Sequence, residues 1–593
     1  MSATKNHFDL PRLRTASLEE LATGLDNQRF TSVQLVAAYK RRISEVNDEF
    51  NAVLEINPDA EKIAASLDNE RRDGKLRGPL HGIPILLKDN IFTDDQTSTS
   101  AGSYALLGSR PVREATVATK LRESGAILLG KVNLSEWANF RSGPNNGSNG
   151  WSARGRQTYG AFYPGSDPDG SSSGSAISSI LGLTFAAIGT ETDGSIVSPA
   201  QRSSVVGMAP TIGLVARDGI IPLSNRQDTV GPLARTVKSV AYVLTAISGK
   251  SPYDNATSSI PFDHIPNYAD ACQGTRLDGL RIGVPRDAIA ETDGIVMKKF
   301  DKALSLLKSR GVTIVDNVLF ASAKEWDAWD SAEKRACLQA EFKHSIEKWL
   351  RELVENPNNI NSLSDLVNFT KSEPKECYPE RDIQRWEWLQ EGPEYNSDAY
   401  KKALEKMLRL SGKEGIIGAI EEHKLDLIVH PTNIDPPTTF AARVGLPAIT
   451  VPLGFYPDDT EPTCHRGKII DVAPNVPFGI TFTGKPFTEE LLFRVAHVYE
   501  SVSSVREEIK PFRMPETELR DVISAAEQRT MLSGKDRLTL KNIHACRLSS
   551  TTPSRSGPSY SHSSPLSTRI ATPLPISPSC HGLEPRGYFL DEI

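Results

Sequence analysis

Gly82-Ile-Pro-Ile-Leu-Leu-Lys88 and Ala126-Ile-Leu-Leu-Gly-Lys131 are the two stretches whose reading decides the fold. Each is an apolar run too short for a helix, bounded by glycine and ending on a lysine, and so reads as a short buried strand. Helical patterns surround them. Ser17-Leu-Glu-Glu20 pairs a serine N-cap with a glutamate at N3, a capping box ahead of an apolar periodic stretch. Thr31 to Val46 is amphipathic at helical spacing. Further on, Leu280-Arg-Ile-Gly-Val-Pro285, Leu425-Asp-Leu-Ile-Val429 and Ala448-Ile-Thr-Val-Pro452 are strand-like again. Strands alternating with helices over this length predict an α/β fold.

Composition narrows the function. The chain has 593 residues, 38% hydrophobic and 24% charged, enough to bury a large core. Lys+Arg 68 against Asp+Glu 74 leaves a net charge of −6. A mildly acidic chain without a basic block lacks the electrostatic footprint of a nucleic-acid or anionic-membrane binder. The longest nearly apolar stretch, Ile180 to Ile188, is too short to span a bilayer. The first residues show no apolar run followed by a cleavage site, so no secretory signal is expected. Six cysteines without CxxC spacing predict reduced thiols in a cytoplasmic protein. The absence of an HExxH pair argues against a metalloprotease, and no cofactor or metal is expected.

Between about residues 141 and 235 the chain is rich in Gly, Ser, Thr and Pro, yet apolar runs interrupt it. A linker would not carry those runs, whereas backbone brought close to a ligand would. Gly170-Ser-Ser-Ser-Gly174 has the G-x-S-x-G form of a nucleophile elbow at Ser172. The elbow needs an apolar strand before it, and Phe162 to Asp169 reads as loop. Gly189-Thr-Glu-Thr-Asp-Gly-Ser195 is a Gly-rich turn that could gather backbone N–H groups around an oxyanion, or be a structural turn. Lys88 is either a snorkelling surface residue or, if buried, an amine of lowered pKa able to serve a serine nucleophile as base.

Taken together, Lys88 and the Ser171 and Ser195 segments resemble the amidase signature family, most of all its peptide-amidase-like branch. The family's Gly-Gly-Ser-Ser-Gly-Gly-Ser-Ala core matches Asp169 to Ala176, its nucleophile turn matches Gly189 to Ser195, and its lysine strand matches Gly78 to Asn90. Gly130 to Trp137, Gly150 to Arg154, Asp228 to Pro232, Gly445 to Pro452 and Gly479 to Gly484 match as well, so the resemblance runs from about residue 15 to 510. It implies a large twisted mixed β-sheet covered by helices on both faces. It also implies a Ser–cis-Ser–Lys triad, with Ser195 as nucleophile, Ser171 as bridging serine on a cis peptide bond and Lys88 as base. The N–H groups of Thr192, Asp193, Gly194 and Ser195 would hold the oxyanion, and Ala138 would lie near the acyl pocket. The substrate would be a small-molecule amide, and the protein a monomer or homodimer.

Some positions depart from the family pattern. Asp169, Ser173, Glu191 and Asp193 replace Gly, Gly, Asp and Gly, and Gln201, Ser203, Ser204 and Ala209 stand where Ser, Asn, Gly and Lys are usual. The last four follow the nucleophile and put turnover in doubt. Two other functions share the fold: a glutamine-hydrolysing component of an amidotransferase complex, and a non-catalytic binding protein. The sequence predicts one domain over residues 15–530, with a helical insert at about 325–410 and a disordered Ser/Pro-rich tail over 540–593. Trp326, Trp329, Trp386 and Trp388 of the insert either line the acyl pocket or, as tryptophans more commonly do, pack the insert onto the body.

Overall fold

The computed structural model describes residues 10–465 and 469–523. The expected tail at 540–593 lies outside them. Both early helices form where their caps place them. Leu18–Asp26 starts at Ser17, whose capping box with Glu20 is complete, and Ser32–Phe50 starts at Thr31, capped reciprocally by Gln34.

Eleven strands build one sheet. In chain order they are β1 (Val53–Ile56), β2 (Pro84–Lys88), β3 (Ile127–Val132), β4 (Ala186–Glu191), β5 (Val206–Ala209), β6 (Thr229–Ala234), β7 (Arg281–Gly283), β8 (Thr313–Val315), β9 (Leu427–Pro431), β10 (Ala448–Phe455) and β11 (Pro477–Gly484). They lie side by side as β1-β3-β2-β4-β6-β5-β10-β11-β9-β7-β8. The sheet is mixed: β3, β2 and β4 run parallel, as do β9, β7 and β8, while the strands between pair antiparallel. Every residue of β2, β3, β4, β5, β6, β9, β10 and β11 is buried. Side chains alternate between faces along a strand, so burial at every position means that both faces are covered. This is the mixed, doubly covered sheet expected for the family.

A second body of structure lies between β8 and β9. Helices Ala323–Asp327, Ser331–Arg351, Leu363–Ser372, Gln384–Glu391, Asp398–Leu408 and Ile417–Glu422 follow one another there, and the last two are joined by a π-helical stretch, Arg409–Ile416. Phe342, Ile346, Leu366 and Trp386 of these helices share a core with Trp137, Phe140, Ile221 and Leu223 of the body. Trp386 meets Trp137 edge-on at 5.6 Å, and Trp326 meets both Trp329 and Phe440 edge-on. These three insert tryptophans are packing residues, and Trp388 is half-buried beneath the Arg335 guanidinium.

Among the described residues, no helix is long and apolar enough to cross a membrane. Cys272, Cys337 and Cys377 are free. Cys464, by contrast, is disulfide-bonded, which corrects the expectation of reduced thiols throughout. Cysteines scattered singly along a chain do not reveal which of them approach in space.

Candidate active site

Strand β2 delivers Lys88 to the site. Its apolar side chains Ile85, Leu86 and Leu87 anchor the strand in the core, and the ammonium group follows them inside: Lys88 is 0% exposed. It does not snorkel because β2 is an interior strand, hydrogen-bonded to β3 on one side and β4 on the other. Nζ lies 2.7 Å from Ser171 Oγ, 3.0 Å from Ser172 Oγ, 3.1 Å from the Thr190 carbonyl oxygen and 2.9 Å from Thr190 Oγ1. Burial pulls the Lys88 pKa down to about 7, against the opposing pull of Glu191 and Asp228. Near neutrality about half of the amine is therefore uncharged. The neutral amine has two N–H donors, enough for the Thr190 carbonyl and one hydroxyl, and its lone pair is left to accept the Ser171 proton.

The Ser171 segment enters the site through a cis peptide bond between Gly170 and Ser171. Its ends are tied down on both sides. The Ser171 carbonyl accepts from Ser135 N at 3.0 Å, and Ser172 N donates to the Ser195 carbonyl at 3.2 Å. Helix Ser173–Ile180 starts immediately afterwards. Gly174 in its first turn has to be glycine, because a Cβ there would sit 2.4 Å from the Ala52 carbonyl oxygen and 2.5 Å from that of Asn133. Ser172 is no elbow nucleophile. It is fully buried, and its hydroxyl donates to the Thr190 carbonyl at 3.1 Å.

The Ser195 turn follows β4 and leads into helix Val197–Arg202. Gly194 takes φ +77°, the left-handed region that a side chain disfavours. The Glu191 carboxylate folds the turn back on itself by accepting from Ile196 N at 2.6 Å and Val197 N at 3.0 Å. Thr192 Oγ1 donates to Asp228 at 2.6 Å, while Gln227 Nε2 donates to the Thr192 carbonyl at 3.2 Å. The Asp193 carboxylate faces Thr439 Oγ1 and the Arg443 guanidinium, each at 3.5 Å. Burial raises the pKa of Asp193, lifts Asp228 to about 6 and lifts Glu191 to about 7.

Lys88 and Ser171 are thus in direct contact, and Ser195 joins them through the backbone hydrogen bond to Ser172. Ala138 sits on the neighbouring loop in a left-handed run with Trp137 and Asn139 (φ 50°, 53° and 69° for 137, 138 and 139), packed against the core shared with the helices. Of the departures, Gln201 Oε1 accepts from Gly479 N at 3.2 Å, Ser203 and Ser204 are buried, and Ala209 ends β5. Thr190 and Asn90 carry no sequence-predicted role, yet Asn90 Nδ2 donates to Thr190 Oγ1 at 2.9 Å. Asn90 stands two residues past Lys88, where an extended strand returns a side chain to the same face. The Thr190 contribution is half carbonyl, and a carbonyl leaves no mark in a sequence.

Fold and similarity together define a class, the amide hydrolases built on a large mixed sheet. The chain belongs to the amidase family, whose model matches residues 34–493. It is 44% identical over 539 residues to a protein named "Putative amidase" from Arthroderma benhamiae, covering 87% of this chain and 90% of that protein. The crystal structure of native peptide amidase from Stenotrophomonas maltophilia is 37% identical, superposes with a TM-score of 0.75, and covers 85% of this chain and 99% of its own. A glutamyl-tRNA(Gln) amidotransferase component from Geobacillus kaustophilus is more distant, at 30% identity over 82% of this chain and 97% of that protein. The amidotransferase alternative is not favoured.

Proposed function

We propose that the protein hydrolyses a linear carboxylic amide through an acyl-enzyme on Ser195, with Ser171 and Lys88 as proton relay. The observation that carries this reading is the 2.7 Å contact between a fully buried Lys88 Nζ and Ser171 Oγ. Neutral Lys88 takes the Ser171 proton while Ser171 takes that of Ser195, whose Oγ attacks the amide carbon. Charge developing on the carbonyl oxygen is met by the N–H groups of Thr192, Asp193, Gly194 and Ser195, held by the turn that Glu191 and Gln227 grip. Ser171 then hands its proton to the leaving nitrogen and recovers one from Lys88, and the C–N bond breaks. Water attacks the acyl-enzyme by the same relay run through Ser171, releasing the acid and restoring Ser195.

Peptide amides are the first substrates to try, given the likeness to peptide amidase. The test is labelling with a fluorophosphonate followed by mass spectrometry of the modified peptide. Label on Ser195, absent in Ser195→Ala, supports the reading; label on Ser172 or Ser171 with turnover surviving in Ser195→Ala overturns it.

A further inference from the structure

The turn that carries Ser195 is held from behind by a group for which the proposed reaction has no chemical use. Gln227 is buried, and its Oε1 accepts from Arg443 Nη1 at 2.9 Å and from Arg226 Nη2 at 2.5 Å. Two guanidinium donors on one oxygen decide which end of the amide is which, because the flipped amide would set NH₂ against both. Nε2 must then face the turn, where it donates to the Thr192 carbonyl at 3.2 Å. In a trans peptide the carbonyl and the following N–H point in opposite directions. Fixing the Thr192 carbonyl on Gln227 therefore aims the Asp193 N–H away from Gln227, across the turn.

The grip continues outward. Arg226 Nη1 donates to the Arg443 carbonyl at 2.7 Å, and Arg226 Nε donates to Glu341 Oε1 at 2.9 Å. Glu341 belongs to helix Ser331–Arg351. It also accepts from Tyr400 OH at 3.0 Å and from Ser224 Oγ. Ser224, Gln227, Glu341 and Arg443 are buried and Arg226, which links them, is partly so, which keeps most of this chain of charge-assisted hydrogen bonds away from water.

We propose that Gln227 is a positioning residue for the Thr192–Ser195 turn, and that Glu341 is the outer anchor that ties this turn to the helices between β8 and β9. The proposal rests on reading that turn as the oxyanion site. Gln227→Glu is the informative variant: it keeps an acceptor for Arg226 and Arg443, so the fold survives, but its carboxylate cannot donate to the Thr192 carbonyl. Gln227→Met removes both interactions, and Glu341→Gln keeps the shape of the anchor without its charge.

The experiment measures kcat and KM on one amide, alongside the inhibition constant of a trifluoromethyl ketone analogue of it, whose adduct places an oxyanion at the turn. Both Gln227 variants should lose about 10- to 100-fold in kcat with KM within about twofold. The ketone should weaken by the same factor as kcat/KM, which a merely structural role would not produce. Glu341→Gln should move both quantities together by about three- to tenfold. Rates within twofold of wild type in both Gln227 variants, or a fall in kcat with the ketone's affinity unmoved, would overturn the proposal. Turnover surviving in Ser195→Ala would instead remove the underlying reading of the turn, so the two failures stay distinct.

Discussion

Lys88 and Lys131 stand on neighbouring strands, Lys131 level with Leu87, and both side chains are buried, yet their surroundings differ. Lys131 donates to the Ile91 carbonyl and to Thr99 Oγ1, and Asp89, Asp95, Glu55 and Glu114 hold its charge against the pull of burial, leaving its pKa at about 8. Around Lys88 the contacts are hydroxyls and a carbonyl, and its pKa falls to about 7. At pH 7 Lys131 is about nine-tenths charged and Lys88 about half. Both amines meet a carbonyl and at least one hydroxyl. What differs is that four carboxylates act on Lys131 and two, Glu191 and Asp228, on Lys88, and that the hydroxyls at Lys88 include those of Ser171 and Ser172.

Replacement of each lysine by methionine breaks the comparison most sharply. Lys88→Met should lose at least about 10³-fold in kcat, as loss of the proton acceptor requires. Lys131→Met should keep the rate within about tenfold. An equal loss in both variants, measured at a temperature where both are folded, would mean that the two lysines share one task.

Arginine asks a narrower question. It retains the charge but cannot give up a proton inside a protein. Lys88→Arg should therefore fall below about a tenth of the wild-type rate, a difference worth about one pKa unit of free energy. A higher rate would make Lys88 an electrostatic support, and the base would have to be sought elsewhere.

The pH profile sharpens the comparison further. With a base titrating at about 7, kcat/KM should rise about tenfold between pH 6 and pH 8 and then level off. A profile flat over that interval would contradict the assignment.

The smallest expected effect lies in stability. Between about pH 7 and its ordinary value of 10.5, Lys88 is protonated in the unfolded chain but not in the folded one, so folding expels a proton and stability rises with pH there. Lys88→Met removes that cost. Its melting temperature should exceed that of wild type by a few degrees at pH 7 and lose most of the advantage by pH 10. Lys131 also titrates below its ordinary value, so Lys131→Met removes a smaller cost of the same sign. The counter-charge it takes from buried Asp89 offsets that gain, so it should melt below Lys88→Met at pH 7. Calorimetry at both pH values checks the order.

Nothing in the local sequence separates these lysines. Ile-Leu-Leu-Lys88 and Ile-Leu-Leu-Gly-Lys131 carry nearly the same message, and each correctly forms a buried strand. What differs arrives from elsewhere in the chain: Ser171, Ser172 and Thr190 come to one, Asp89 and Thr99 to the other. Strands β2, β3, β7, β9 and β10 were legible because their apolar runs are short and bounded. Lys88, Ser171 and Ser195 were legible as a set through family motifs, with no single residue deciding. Gln227, Arg443 and Glu341 were not, since three polar residues far apart in sequence carry no sign that they share a buried chain. Trp326, Trp329 and Trp386 took the commoner of the two fates open to a tryptophan, packing, while Trp388 stays half-buried.

The shared core of Trp137, Phe140, Ile221 and Leu223 with Phe342, Ile346 and Trp386 has a consequence for anyone exchanging parts between relatives. The helices between β8 and β9 look like a cassette in sequence, but part of their hydrophobic seat belongs to the body. A chimaera that transplants residues 323–422 alone would set foreign aromatic rings against the native Trp137 and Phe140, mismatched in volume where close packing tolerates little. The unit of exchange is the cassette together with its seat, and with Arg226, the residue through which Glu341 reaches the Ser195 turn.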